Sequence, residues 1–447
     1  MLELLLIWLG LLAALIVFAV GRPREGGVLV LTYFLGLSLI HIPGVLPYLD
    51  RTFTAGFDES LDGLRMTLIG MGAFVVGAVA AKRMAPRLRL AALPPPAAFE
   101  RFGMRALIFG VLSYFVVLPV AARVPSLTAL VSPLATLLII GLWLRLYSST
   151  MHNDWAKTGQ TLALLPLLPL ATLGAAGFLG YGIYWILSVA TFLFVISRQR
   201  VWFYVSAPVV VYVGLSLFVA YMGERAHIRD LVWNQNATLG QRVGQISGIF
   251  THFEPLDIRS DDHAYALNER LDQNYLVGVG MQRHQQGLSP FLHGETVPVW
   301  VVVPRALWPD KPTIGGGKQL VADFTGLTFN EDTSVGSGQV LEFYMNFGAP
   351  GVVVGFLILG FVLMRLDHGI MRALGFADLR TLLKYAMPGL TLMQPGGNLM
   401  EILIAVVAAV VGAYALSWVK VMGLPPPRRR LAQGPPASMA ATSIQRG

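Results

Sequence analysis

The chain has 447 residues, of which 55% are hydrophobic and only 13% charged, and its mean hydropathy is +0.62. Soluble domains carry about 25% charged residues, so this composition describes an integral membrane protein. There is no cysteine, which excludes disulfides, thiolate catalysis and Cys-based zinc or iron–sulfur centres, and the net charge of +8 loses its nucleic-acid meaning once the charges are placed.

Apolar stretches of about 20 residues, enough to span a bilayer, fall near 2–21, 26–48, 63–81, 104–122, 127–147, 160–178, 180–197 and 201–221. Further ones lie near 341–364, 380–395 and 399–420. The pattern is that of an all-α polytopic membrane protein with about eleven transmembrane helices, the 380–395 one being short. The first run holds Glu3 and has no Lys or Arg ahead of its apolar residues, so it reads as a span and not a signal peptide. GFDESLDG, with Asp58, Glu59 and Asp62, reads as a solvated acidic loop after the second span; the alternative is a base or a metal-binding acid. The Lys82–Arg105 segment, with AALPPPAAFE at its core, reads as a basic linker beside anionic lipid.

Basic residues flank cytosolic ends of spans. With the N-terminus outside, the cytosolic segments collect Arg22/Arg24, Lys82–Arg105, Arg145/Lys157, Arg198/Arg200, Arg365–Lys384 and Lys420–Arg446. That is 21 basic residues, against three (Arg51, Arg65, Arg123) in the short external segments. The asymmetry predicts an external N-terminus, periplasmic if the membrane is a bacterial inner one, and a cytosolic C-terminus. It also puts the one long polar segment outside, and predicts four regions: 1–221 as an N-terminal bundle, 222–340 as a large external loop of short helices, 341–422 as C-terminal spans and 423–447 as a disordered cytosolic tail.

The loop carries the chemistry. From Met222 to Ser337 it holds nine Lys/Arg and thirteen Asp/Glu, a net of −4, and five of the chain's eight histidines: His227, His252, His263, His284 and His293. Most connections are far shorter. Arg225 and Arg229 lie within about one helical turn just past the eighth span, and Arg305 and Lys311 bracket PRALWPDKP. Arginine grips phosphate through a planar fork and lysine as a point charge, so two such clusters at the membrane surface suit a pyrophosphate-bearing lipid. The alternative is pairing with neighbouring acids such as Glu224, Asp230 and Asp310. Leu231–Phe250 reads as an amphipathic helix, on the bilayer or packed in the loop, and Val297–Val303 as a short interfacial run. GGGKQ at Gly315–Gln319 lacks the first glycine and the hydroxyl residue of a phosphate-binding loop, and Asp261-Asp262-His263 has no third ligand at recognisable spacing. HExxH and GxSxG are absent.

The run from ALNERLDQNYLVGVG through FLHGETVPVWVVVPRALWPDKP to SGQVLEFYMNFGAPGVVVG resembles the bacterial O-antigen polymerases of the Wzy type, the oligosaccharide repeat unit polymerases. The resemblance covers roughly residues 222–365. It implies a GT-C-like bundle in the bacterial inner membrane. It also implies a glycosyltransferase without metal, nucleotide or other cofactor, which joins oligosaccharide units carried on undecaprenyl pyrophosphate at the periplasmic face. The lipid pyrophosphate leaves as the acceptor hydroxyl attacks the anomeric carbon. The product is an O-antigen, capsule or exopolysaccharide, and a flippase and a chain-length regulator of the same pathway are the implied partners. On this reading Arg225 and Arg305 hold the pyrophosphate. Arg229, Arg270 and Lys311 assist, His284 is a further substrate-binding candidate, and Glu342 orients or deprotonates the acceptor; the alternative for Glu342 is a buried glutamate paired with a loop arginine. Arg229/Gly240 and Arg305/Gly316 fit an Arg-x10-Gly spacing described for this class. O-antigen ligases, in contrast, carry a histidine about ten residues before the glycine pair opening the next helix, and here that count from Gly348 reaches Ser337.

Two other readings remain. One is a different polyprenyl-phosphate-dependent GT-C glycosyltransferase or ligase, for which the acidic first loop speaks. The other is a lipid-linked-oligosaccharide flippase or a non-catalytic partner. A flippase would gather its cations in a cavity between helices, whereas this chain gathers them in the loop. The absence of a visible internal repeat also weighs against a transporter.

Overall fold

The computed structural model describes residues 1–21, 26–50, 54–86, 96–121, 123, 127–176, 180–197, 200–233, 253–296, 308, 317–330, 333 and 335–418. Among them every regular element is a helix. Seven helices are long and apolar enough to cross a membrane: Leu2–Ala19, Phe57–Met84, Phe99–Ala121, Ser132–Met151, Val201–Arg225, Gln339–Gly375 and Leu399–Trp418. Val28–His41 with the turn Pro43–Leu49, bent by 46°, brings the number to eight if the pair is one broken span. The chain is a helical membrane protein.

We number the principal helices α1 (Leu2–Val20), α2 (Val28–His41), α3 (Phe57–Met84), α4 (Pro96–Leu112), α5 (Thr136–Met151), α6 (Trp155–Leu162), α7 (Leu167–Ala176) and α8 (Gly180–Ile196). There follow α9 (Val201–Trp233), α10 (Asp261–Leu271), α11 (Gln273–Gln285), α12 (Gly317–Thr325), α13 (Gln339–Gly375), α14 (Leu379–Thr391) and α15 (Leu399–Trp418). Helices occupy all eleven expected positions, but three fall short by length. The 160–178 stretch divides between α6 and α7, because Pro166 offers no N–H to continue the first helix and opens the second. α8 has 17 residues, and α14, with 13, packs between α13 and α15.

Close backbone approach organises the bundle. A β-carbon on Gly77 of α3 would collide with the Leu357 carbonyl of α13, and one on Gly360 with the Phe74 carbonyl. Small residues let two apolar helices touch along their backbones, the main source of attraction where water supplies none. Tyr33 of α2 stacks on Phe74 at 5.1 Å, and its hydroxyl donates to the Gln339 side-chain carbonyl of α13.

α13 carries two buried carboxylates, each set into the start of another helix. Asp367 accepts from the backbone N–H groups of Leu29 (2.9 Å) and Val30 (3.1 Å) in the first turn of α2. Glu342, near the opposite end, accepts through Oε2 from the Leu399 N–H (2.7 Å) at the start of α15 and from the Ser337 hydroxyl (2.8 Å). Free N–H groups and the positive end of the dipole make a helix start the natural partner of a carboxylate.

The LEFYMNFGAPG motif is a helix break. Gly348 is non-helical (φ 64°, ψ −157°), and Pro350 has no N–H for the Asn346 carbonyl four residues earlier. The loop supplies the missing donors: Leu292 N–H reaches the Met345 carbonyl (2.8 Å) and His293 N–H the Asn346 carbonyl (3.1 Å). The Asn346 side chain completes the seam, accepting from Gly294 N–H (2.9 Å) and donating to the Thr296 hydroxyl (2.6 Å). Asn346→Ala leaves these buried groups unpaired and is expected to cost about 1–3 kcal/mol, read as a lower thermal midpoint of the detergent-solubilised protein.

α10 and α11 are seated on the bundle by a polar lock. Asp272, at their junction, accepts from Ser60 Oγ (2.6 Å), Asn274 Nδ2 (2.9 Å) and Asn268 Nδ2 (3.2 Å). Asn274 in turn donates to the His41 carbonyl (2.6 Å) and accepts from the Thr67 hydroxyl (2.9 Å). Burial pushes the Asp272 carboxyl up to about 6, against the pull of its hydrogen bonds towards the charged form. The folded state therefore holds this proton more tightly than the unfolded chain. The resulting stability is complete below the unfolded value of 3.8 and is lost as pH rises through about 6. Asp272→Asn is expected to flatten the pH dependence of the thermal midpoint between pH 4 and 6; an unchanged slope would assign it elsewhere.

Candidate functional site

Of the loop cations, the structure brings two together. Arg225 and Arg229 do not follow the membrane helix but belong to it, because α9 continues to Trp233 through GERAHIRDLVW, residues with no glycine or proline after Gly223. The Arg229 side chain lies outside the described residues, as do Arg305, Lys311 and most of Leu231–Phe250. Arg270 is on α10, which packs against α9 through Leu215, Leu267 and Leu271. Burial first, and then the charge of Arg225, pull the Arg270 guanidinium below its ordinary value. Glu269 offsets part of this with a 3.0 Å ion pair, while Arg270 Nε is buried without a hydrogen-bond partner. Among the described residues no carboxylate pairs with Arg225. The charges of Arg225 and Arg270 repel, and the idle buried Nε–H of Arg270 is a donor that an anion would satisfy.

α9 and α10 also flank an open cleft of about 360 Å³, lined by Glu224, Glu254, Asp262, His263, Tyr265 and Glu269 and not by either arginine. His263, one of the lining residues, has its Nδ1 accepting from Asp257 N–H (3.1 Å). The carboxylates repel anions, but they are strong acceptors for hydroxyl groups. Glu224 and Glu269, which line the cleft, are the chain neighbours of Arg225 and Arg270.

The remaining candidates have other surroundings. His284 stacks on Phe291 at 3.8 Å, and its Nδ1 lies 2.7 Å from the Ser289 carbonyl, so it fastens the segment that follows α11 back onto that helix. Glu342 is 1% exposed, and its partners are the α15 start and Ser337, in place of the expected arginine. It stands on α13, apart from the α9–α10 pair. Asp58 and Glu59 sit in the first turn of α3 and Asp62 in its second, so GFDESLDG is largely helix, with its acids at the positive end of the dipole. Among the described residues no group of three or more His, Asp and Glu could hold a metal. The nearness of Arg270 to Arg225 had no local signal in sequence, since 45 positions separate them.

No protein-family model matches this chain, and no curated protein and no solved structure matches it either. The class rests on the fold, a polytopic helical membrane protein whose described helices α10 and α11 pack against α2 and α3.

Proposed function

We propose that the protein polymerises oligosaccharide repeat units carried on a polyprenyl pyrophosphate, at the periplasmic face of a bacterial inner membrane. The observation carrying this reading is the Arg225–Arg270 pair at the loop end of α9, next in sequence to Glu224 and Glu269, which line the acceptor-rich cleft. A pyrophosphate joined to a sugar needs both halves of that arrangement, cations for the phosphates and carboxylates for the sugar hydroxyls. In the reaction the acceptor hydroxyl forms a bond to the anomeric carbon as the carbon–oxygen bond to the pyrophosphate breaks. The hydroxyl proton is released, and the electron pair goes to the departing phosphate. Negative charge grows on that oxygen, and fixed guanidiniums stabilise it most at the transition state. Arg229, Arg305 and Lys311 are the further cations assigned to the same pyrophosphate. A GT-C-like bundle of about eleven crossings is the architecture that goes with this activity.

The test uses purified protein in nanodiscs, supplied with undecaprenyl-pyrophosphate repeat units and no nucleotide sugar. Products spaced by whole repeat units are expected. Transfer of a single unit to a lipid-A-type acceptor without a ladder would favour a ligase. Folded, lipid-binding protein that forms no glycosidic bond would sink the enzyme reading.

A further inference from the structure

One face of α10 lines the cleft. Asp262, Tyr265, Ala266 and Glu269 stand at i, i+3, i+4 and i+7 and form a stripe about 10 Å long. At its last residue the stripe meets a cation, because Glu269 Oε1 lies 3.0 Å from Nη2 of Arg270. The Glu269 side chain is 38% exposed and that of Arg270 23%, so the carboxylate is open to a ligand in the cleft while its guanidinium is largely covered.

The other lining groups are placed for different work. His263 Nδ1 accepts from Asp257 N–H, which leaves the ring proton on Nε2, 3.8 Å from Glu254 Oε2. Neither ring nitrogen then offers a lone pair to a substrate proton. Asp262 stands at the opposite end of the stripe from Arg270. Tyr265, well exposed between the two acids, presents a ring face against which a sugar packs.

We propose that Glu269 is the general base of the transfer, an inference that rests on the polymerase reading. The donor's pyrophosphate and Glu269 compete for one guanidinium. When the pyrophosphate takes the Arg270 N–H groups, Glu269 Oε1 is released and turns to the acceptor hydroxyl in the cleft. The acceptor oxygen bonds to the anomeric carbon, and the bond from that carbon to the pyrophosphate oxygen breaks with its electron pair. The hydroxyl proton passes to the Glu269 carboxylate and from there to water. The base is thus unmasked by the donor, so an acceptor is activated only once there is a chain to receive it.

The experiment compares full-length wild type, Glu269→Gln and Glu269→Asp in nanodiscs with undecaprenyl-pyrophosphate repeat units, with and without sodium azide. The glutamine carbonyl still accepts from Arg270, so Glu269→Gln should keep the wild-type thermal midpoint. Its polymer formation is expected to fall by about 10²–10⁴-fold. Glu269→Asp keeps the charge one methylene further back; it should lie between the two, and it carries the comparison if the glutamine variant does not fold. Azide attacks without giving up a proton. It should therefore restore release of undecaprenyl pyrophosphate by Glu269→Gln, with a glycosyl azide as product, but not by Arg270→Ala. Polymerisation by Glu269→Gln within a few-fold of wild type would overturn the assignment and leave the polymerase reading standing, as would a loss that azide does not relieve. A wild type that forms no glycosidic bond would remove both.

Discussion

Gly278→Leu is expected to unseat α11 from α3 and to destabilise the protein by about 3 kcal/mol or more. A β-carbon at Gly278 meets the Glu59 backbone carbonyl, and one at Gly63 meets the Asn274 carbonyl from the other side. Both obstacles are main chain, so no rotamer change relieves them and the helices must separate. Separation also breaks the lock in which Asn274 bonds His41 and Thr67, and Ser60 bonds Asp272. The effect therefore exceeds that of an ordinary overpacked side chain. Limited proteolysis between α10 and α11 should become fast in the variant. Gly72→Leu is the control, since nothing lies within 4 Å of a β-carbon there, and it should leave the midpoint within about 0.5 kcal/mol of wild type. Equal behaviour of the two variants would show that α11 is not held by backbone contact.

Arg225→Ala and Arg270→Ala are each expected to lower turnover of the lipid-linked substrate by about 10²–10³-fold, with a smaller change in its binding. The asymmetry follows from the chemistry: the ground-state pyrophosphate is already charged and solvated, while the charge released on bond cleavage exists only beyond the ground state. The two side chains act on one group, so the double variant should lose far less than the product of the single losses. Arg270→Lys keeps the charge but not the fork, and it should fall between wild type and alanine. Turnover within a few-fold of wild type in both alanine variants would remove the pair from the reaction.

Hydropathy located the long helices because a lipid-facing helix advertises itself along a continuous apolar run. It overreached where a proline interrupts such a run, at Pro166, or where a short helix such as α14 is buried by its neighbours. The Arg225/Arg229 pair is legible in GERAHIRD, and nothing in those residues stops a helix, which is why α9 continues through them to Trp233. The NFGAP sequence carried its own message, since Pro350 deprives Asn346 of a donor; what the sequence could not say is that Leu292 and His293 supply the replacement. Glu342 was legible as a glutamate at a membrane boundary. Its partner at Leu399 lies 57 positions on, and tertiary pairing of that span leaves no periodic trace. Asp367 sits among charges that flank a span in sequence, and only the fold shows it to be fully buried in the core.

Asp367 also bears on the order in which the protein is made. The N–H groups of Leu29 and Val30 are among the first to enter the bilayer, and the carboxylate that pairs with them is synthesised more than 300 residues later. Until then the start of α2 has neither that acceptor nor α13 to pack against. The N-terminal helices thus wait in the membrane as an unfinished assembly, and a ribosome stalled before residue 367 should leave them open to degradation. Supplying residues 335–418 as a separate polypeptide should rescue them, because the bond that closes the bundle joins two segments that need share no chain.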